Sequence, residues 1–207
     1  MMIAAAQIES TLQAYSTTPN TGLADKISVY IDLLLRWNRR ISLTTITNPT
    51  EIVKFHFGES LFAVDEIKNG ESRLADVGTG AGFPGLPLAM GIPQTDVILI
   101  ESNAKKCAFL REVIRSLELN NARVFQGRME AVPLDYGRFD FVTARALGQF
   151  DGLLRWARGR LVQDGELLLW LGQADSVEIA TRQSWRWGPP KLIPGSRRRY
   201  LLRGTMT

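Results

Sequence analysis

Cysteine occurs once, at Cys107, and histidine once, at His56, in 207 residues. A single thiol excludes an internal disulfide framework and a multi-cysteine zinc site, so no metal is expected. The scarcity fits a reducing, cytoplasmic compartment. Long apolar runs are also lacking, since no stretch approaches the roughly 20 residues that cross a bilayer. The first residues, Met1 to Ala6, carry no basic segment ahead of a long apolar one, so no secretory leader is expected. Internal repeats and low-complexity tracts are absent. What remains is a protein with 45% hydrophobic and 22% charged residues, long enough for one domain with a core, alone or with an extension. The net charge of +4 is mildly basic and favours a polyanionic partner.

The apolar pattern changes character along the chain. Residues 1–20 show little pattern and read as a short helix or a frayed end. Over 23–40, Ile27, Ile31, Leu34 and Leu35 recur at helical spacing, with charged residues between them. From Ser72 onward, short apolar runs alternate with helical patterns. Strands are expected at 73–77, 97–100, 124–125, 139–144 and 166–171, with a last one at 199–203. Helices are expected at 86–90 and after Asn103, which would cap a helix striped by Cys107, Leu110, Ile114 and Leu117. Such alternation predicts an α/β fold, a mainly parallel sheet with helices on both faces. The expected division is a helical N-terminal extension over 1–60 and an α/β unit over 61–207, together one compact unit.

The first of these strands runs into Asp76-Val77-Gly78-Thr79-Gly80-Ala81-Gly82-Phe83-Pro84-Gly85. Glycines allow a sharp bend and close approach of a ligand to the backbone. Pro84 suits a first helical turn, where its missing N–H costs little. Glu101 ends the next strand, where a carboxylate can accept from both hydroxyls of a ribose. Loop, strand and acid together predict a nucleoside cofactor. Two cofactors fit. Gly80-Ala81-Gly82-Phe83-Pro84-Gly85 matches the dinucleotide fingerprint, which would make an NAD-dependent oxidoreductase. Against it, Asp76 would repel a pyrophosphate but suit the cationic sulfonium and amino-acid end of S-adenosylmethionine. Pro84 also removes an N–H that phosphate would use.

A longer set of residues resembles a known family. Trp37-Asn38, Leu43-Thr44, His56 with Ser60, the 76–85 stretch followed by Leu86-Pro87-Leu88, Lys105, Phe109-Leu110-Arg111, Arg128, Glu130, and Phe139-Asp140 through Arg145-Ala146 follow in order the motifs of the glucose-inhibited division protein B (RsmG) family. The resemblance covers about Leu33 to Arg203. It implies a class I S-adenosylmethionine-dependent methyltransferase, Rossmann-like, acting on N7 of one guanosine in the 530 loop of 16S ribosomal RNA, free or in the small subunit. It implies cofactor contacts at Gly78, Phe83, Met129, Glu130 and Arg145; the loop reading adds Asp76, Gly80, Gly82 and Glu101. The chain departs from the family at Ser42, at Gly58-Glu59, and at Trp170-Leu171-Gly172, where a lysine is missing. A methyltransferase acting on a small molecule or a protein remains an alternative.

Guanine N7 already presents a lone pair, so the reaction needs alignment and desolvation and no general base is expected. Cys107 sits on an apolar stripe, a poor place for the nucleophile that pyrimidine C5 methylation uses. The loop after the fourth strand reads Thr143-Ala144-Arg145-Ala146, without the Pro-Pro-aromatic pattern of amine methylases. RNA contacts are expected among Arg36, Arg39, Arg40, His56, Lys105, Arg145, Arg197 and Arg199, provided these converge near the glycine loop. Trp37 is expected in the core. The protein is expected to act as a monomer.

Overall fold

The apolar strand residues stand consecutively because both faces of the sheet are covered. In the computed structural model, which describes residues 3–15, 22–67, 70–146, 148 and 150–207, five parallel strands form the centre. They are β1 (Ser72–Val77), β2 (Thr95–Glu101), β3 (Ala122–Gln126), β4 (Phe139–Arg145) and β5 (Leu161–Gly172). β8 (Arg199–Met206) runs antiparallel to β5, with the short β6 (Trp185–Trp187) and β7 (Lys191–Leu192) on its outer side. The order is β3-β2-β1-β4-β5-β8-β6. It reverses direction of travel between β1 and β4, so the connections leaving these paired strands run to opposite sides and a crevice lies beyond their C-terminal ends.

Alternation along each strand sorts the core into two layers. Leu74, Val97, Leu99, Phe141, Leu168, Trp170 and Leu201 face one side. Ala75, Ile98, Ile100, Val142, Leu167, Leu169 and Leu202 face the other. The first layer is covered by α1 (Ala5–Leu12), α2 (Leu23–Asn38), α5 (Gly85–Gly91) and α6 (Ala104–Ser116), and by a helical segment over 49–61. That segment begins as α3 (Pro49–Ile52), widens into a π-turn (Val53–Gly58) and closes as α4 (Glu59–Leu61). The second layer is covered by α7 (Phe150–Arg160) and α8 (Gln173–Ala180). Ile8, Ile31, Ile52 and Phe57 share a cluster with Leu74 and Leu99, so the helices before β1 pack directly on the sheet.

Several boundaries differ from expectation for local reasons. α2 stops at Asn38, because the Asn38 side chain accepts from Leu43 N and Thr44 N and donates to Thr44 O. Those bonds close the loop that sequence spacing would have run on to Arg40. Asn103 caps α6 as expected, accepting from Lys105 N and Lys106 N. Pro84 is the cap of α5 and not part of its first turn. β6 and β7 have three and two residues, too few for alternation to reveal.

Candidate active site

The crevice is built on the glycine loop. Gly78, Gly80 and Gly82 have φ of 68°, 60° and 91°, values that only glycine adopts without cost. Gly78 N and Thr79 N donate to Ile100 O, hanging the loop from the end of β2. Beneath it, Tyr30 of α2 donates its hydroxyl to Ala81 O at 2.6 Å. A Cβ on Gly82 would stand 2.2 Å from that hydroxyl, whereas one on Gly80 would meet nothing nearer than Gly78 O at 3.8 Å. The loop is therefore clamped at Gly82 and open at Gly80. Glu101 accepts from Gly80 N at 3.1 Å and from Asn103 N at 2.8 Å, which fixes its carboxylate at the loop.

Asp76 does not face the crevice. Its carboxylate is fully buried and accepts from Gly85 N at 2.9 Å and from the Thr143 hydroxyl at 2.8 Å. The expected direct contact with a cofactor is thus corrected: Asp76 ties the start of α5 to β4 and holds the loop from behind. Burial pushes its pKa up to about 6, against the lowering by its hydroxyl and N–H donors and by Arg145. The bond also fills the first N–H of α5, while Pro84 and Pro87 have none. A pyrophosphate would find no donors there.

Phe83 stacks between Tyr30 (5.5 Å) and His56 (4.7 Å) and is nearly buried. His56 lies on the π-turn, a backbone irregularity common at functional sites. Its Nε2 is 2.7 Å from the Thr44 hydroxyl. Burial, then Arg145 and Arg199, lower its pKa to about 4. The ring is therefore held neutral, stacked on Phe83 and engaged through Nε2, so it brings no cationic charge to RNA. Folded His56 holds fewer protons than an unfolded histidine of pKa 6.5, so its contribution is present above 6.5 and is lost as pH falls towards 4. Asp76 acts oppositely, contributing below 3.8 and losing that contribution as pH rises through about 6. His56→Gln is expected to narrow the difference in urea midpoint between about pH 7 and about pH 4.5. An unchanged difference would remove His56 from the acid response.

Across the crevice, Arg145 at the end of β4 donates Nη2 to Phe55 O at 2.7 Å and pairs with Glu59 at 3.0 Å. Arg199 at the start of β8 reaches both oxygens of the same carboxylate, at 2.9 and 2.8 Å. Trp170 Nε1 donates to Glu59 O at 2.6 Å. Glu59 is 2% exposed and its two arginine partners come from distant strands, so it organises this wall. Sequence reasoning did not select it. The available signal was an acid three residues after the single histidine, at a position where the chain departs from the family pattern.

The remaining candidates fall elsewhere around this frame. Met129, half-buried, and Glu130, exposed, lie on the 3-10 turn after β3. Lys105 is exposed in the first turn of α6. Arg36 pairs with Glu112 of α6, which also accepts from Trp37 Nε1, and Arg40 lines the same recess. Arg39 and Arg197 are exposed. Trp37 packs on Phe109, the core role expected of it. Of the basic candidates, Arg145 and Arg199 are brought together beside the crevice, while Arg36 and Arg40 form a separate group on α2.

Comparison with known proteins decides the family. The family model described as rRNA small subunit methyltransferase G matches residues 23–186. The chain belongs to that family. A ribosomal RNA small subunit methyltransferase G from Xanthomonas euvesicatoria pv. vesicatoria is 40% identical over 193 residues, 92% of this chain and 89% of the relative. One from Stenotrophomonas maltophilia is 42% identical over 179 residues, 85% and 83% of the two chains. Among solved structures, a ribosomal protein L11 methylase from Lactobacillus delbrueckii subsp. bulgaricus superposes with a TM-score of 0.63 at 14% identity, covering 74% of this chain and 79% of that one. A SAM-dependent methyltransferase from Aquifex aeolicus gives 0.60 at 17%, covering 72% and 89%. The fold is that of class I methyltransferases. With methyltransferase G membership, the dinucleotide reading of the glycine loop falls. The family match takes in the loop, Glu59, Glu101 and Arg145 but stops before β8, which carries Arg199. Among the described residues no helix is long and apolar enough to cross a membrane, and no group of acids, histidine and cysteine could hold a metal.

Proposed function

We propose that this chain methylates N7 of a guanosine in the 530 loop of 16S ribosomal RNA, with S-adenosylmethionine as the methyl donor. The observation that carries this reading is the clamped glycine loop, open on its Gly80 side and held by Glu101. The open face of Gly80 is a cradle that a Cβ would fill, and the donor fits it. Gly78 and Gly80 would line its passage, Glu101 would take the ribose hydroxyls, and Met129 and Glu130 would flank the base. Gly82, Phe83 and Asp76 support that surface from behind. When bound, the donor would supply an electrophilic methyl on a cationic sulfur, which the N7 lone pair can take up without loss of a proton.

The protein's own work is then alignment and exclusion of water. No group has to take a proton from N7, which agrees with a His56 that is engaged by Thr44. Single-stranded RNA suits this site, because N7 in an A-form helix lies in a groove that side chains enter poorly. Phosphates would be met by exposed Lys105 and Arg197 and by half-exposed Arg199. We further take the chain to act as a monomer in the cytoplasm, on free RNA or on the small subunit. Among the described residues the large exposed apolar side chains, Val29, Leu134, Val177 and Leu192, lie on separate elements, which supports the monomer.

The deciding experiment transfers labelled methyl to small-subunit RNA and to small-subunit particles from a strain lacking this protein, and maps the label. Label at N7 of one guanosine in the 530 loop is expected. Label on another base, or only on small molecules or protein, removes the proposal. RNA affinity is expected to fall steeply with salt, and Arg197→Ala to flatten the log–log slope by about 0.7. A slope that the substitution leaves unchanged takes Arg197 out of the phosphate contacts.

A further inference from the structure

A second basic site lies away from the glycine loop, where the end of α2 meets α6. A recess of about 320 Å³ is lined there by Arg36, Trp37, Arg40 and Glu112. Glu112 has both carboxylate oxygens engaged, Oε1 by Arg36 and Oε2 by Trp37 Nε1 at 2.9 Å. Its side chain is 24% exposed and that of Arg36 63%, so the acid sits deeper and the guanidinium faces water. Arg40 is exposed and pairs with no carboxylate among the described residues. The recess thus sets two accessible cations against one acid that is already satisfied. Cations at the C-terminal end of α2 also complement its dipole, but that role needs no concavity shared with a second helix.

Helix α6 ties this recess to the crevice. It starts at Ala104, just after Glu101, whose carboxylate holds the glycine loop. Lys105 in its first turn and Glu112 are seven residues apart, so they share one helix face at a separation of about 10 Å along the axis. Lys105 is exposed, which places a free cation on that face between the loop and the recess. We propose that the recess is a phosphodiester seat: the RNA strand that continues from the target guanosine runs along α6 past Lys105, and Arg36 and Arg40 hold one of its phosphates. The inference rests on the ribosomal RNA reading. A guanidinium presents forked N–H donors that match phosphate oxygens. Such a contact fixes the position of the strand on the protein and carries no sequence information, so it presents the target base without selecting it. Binding here forms no covalent bond and moves no proton.

The test removes the charges one at a time. Equilibrium binding of small-subunit RNA is measured over a salt series. Methyl-transfer kinetics on that RNA and on small-subunit particles, and calorimetric affinity for S-adenosylhomocysteine, are measured alongside. Arg36→Gln and Arg40→Gln are each expected to flatten the log–log salt slope by about 0.7 and to weaken RNA binding about fivefold. The kcat at saturating substrate and the S-adenosylhomocysteine affinity are expected to stay within about twofold, because a seat remote from the reacting atoms holds ground and transition states equally. Arg40→Lys, which keeps the charge, is expected to restore the slope. Arg155→Gln removes the same charge from an exposed position on α7, across the sheet, and is expected to leave slope and affinity unchanged. A wild-type slope in either Arg36→Gln or Arg40→Gln overturns the inference. Equal flattening by Arg155→Gln also overturns it, since net charge alone then accounts for the effect. Loss of kcat or of S-adenosylhomocysteine affinity together with RNA binding assigns the arginines to the packing of α2 on α6 and overturns it as well. A wild type that methylates particles without binding free RNA overturns the seat and leaves the functional reading standing. No transfer to RNA or to particles by the wild type brings down both.

Discussion

Gly80→Ala is expected to fold and fail to bind, while Gly82→Ala is expected to fail to fold well. The two glycines stand two residues apart in the same loop, both with positive φ. A left-handed conformation costs an alanine about 1–2 kcal/mol at either site. Their surroundings differ. At Gly82 the new methyl would lie 2.2 Å from the Tyr30 hydroxyl and 2.7 Å from Leu86 Cδ1. Tyr30 is fully buried and its hydroxyl is committed to Ala81 O, so it has nowhere to withdraw. Overpacking of this kind adds about 1–3 kcal/mol, for a total of about 2–5 kcal/mol. That is a large share of the stability of an ordinary domain. At Gly80 the methyl would enter open space, so only the backbone cost remains in the free protein. The same methyl would occupy the surface assigned to the methyl donor. Urea unfolding is expected to separate the variants by about 1–3 kcal/mol, the overpacking contribution. Calorimetry is expected to show S-adenosylhomocysteine affinity lowered at least about 100-fold in folded Gly80→Ala. Wild-type affinity in Gly80→Ala would move the cofactor away from this loop.

Replacing Glu59 by leucine is expected to cost about 3–5 kcal/mol, because it strands a buried cation. Arg199 is 47% exposed along its side chain and can turn to water. Arg145 is 14% exposed and cannot. Burial already lowers the pKa of Arg145, with the Glu59 carboxylate as the opposing influence. Removing both members separates charge burial from simple packing loss. Glu59→Leu with Arg145→Met is expected to recover most of the stability, since an apolar pair needs no counter-charge. Its methyl transfer is expected to stay at least about 100-fold down, because the charged wall beside the crevice has gone. Stability of Glu59→Leu within about 0.5 kcal/mol of wild type would show that the arginines do not depend on this carboxylate.

How much of this could be read in advance varied with the range of the interaction. The parallel sheet was legible because β1, β2, β4 and β5 are apolar at consecutive positions and helical patterns stand between them. The capping of α6 was legible because Asn103 and the amides it accepts from are neighbours in the chain. The orientation of Asp76 was not. Whether that carboxylate faces solvent or Gly85 N depends on Thr143, which is 67 residues further on. The Glu59–Arg199 pair spans 140 residues, and neither partner has a local pattern that announces the other. His56 was expected among the RNA contacts, and the lowering of its pKa comes from burial and from two arginines on other elements.

The amino-acid order by itself determined which stretches become strand, helix and glycine bend, and placed Glu101 one strand–helix–strand step beyond that bend. These depend on backbone dihedral preference and apolar periodicity, which act within a few residues. Only the tertiary structure decided that Asp76 braces the loop from inside and that Glu59 gathers Arg145 and Arg199. Those outcomes depend on desolvation and on donor–acceptor distances of about 3 Å between distant segments, and neither exists until the sheet has brought the segments together.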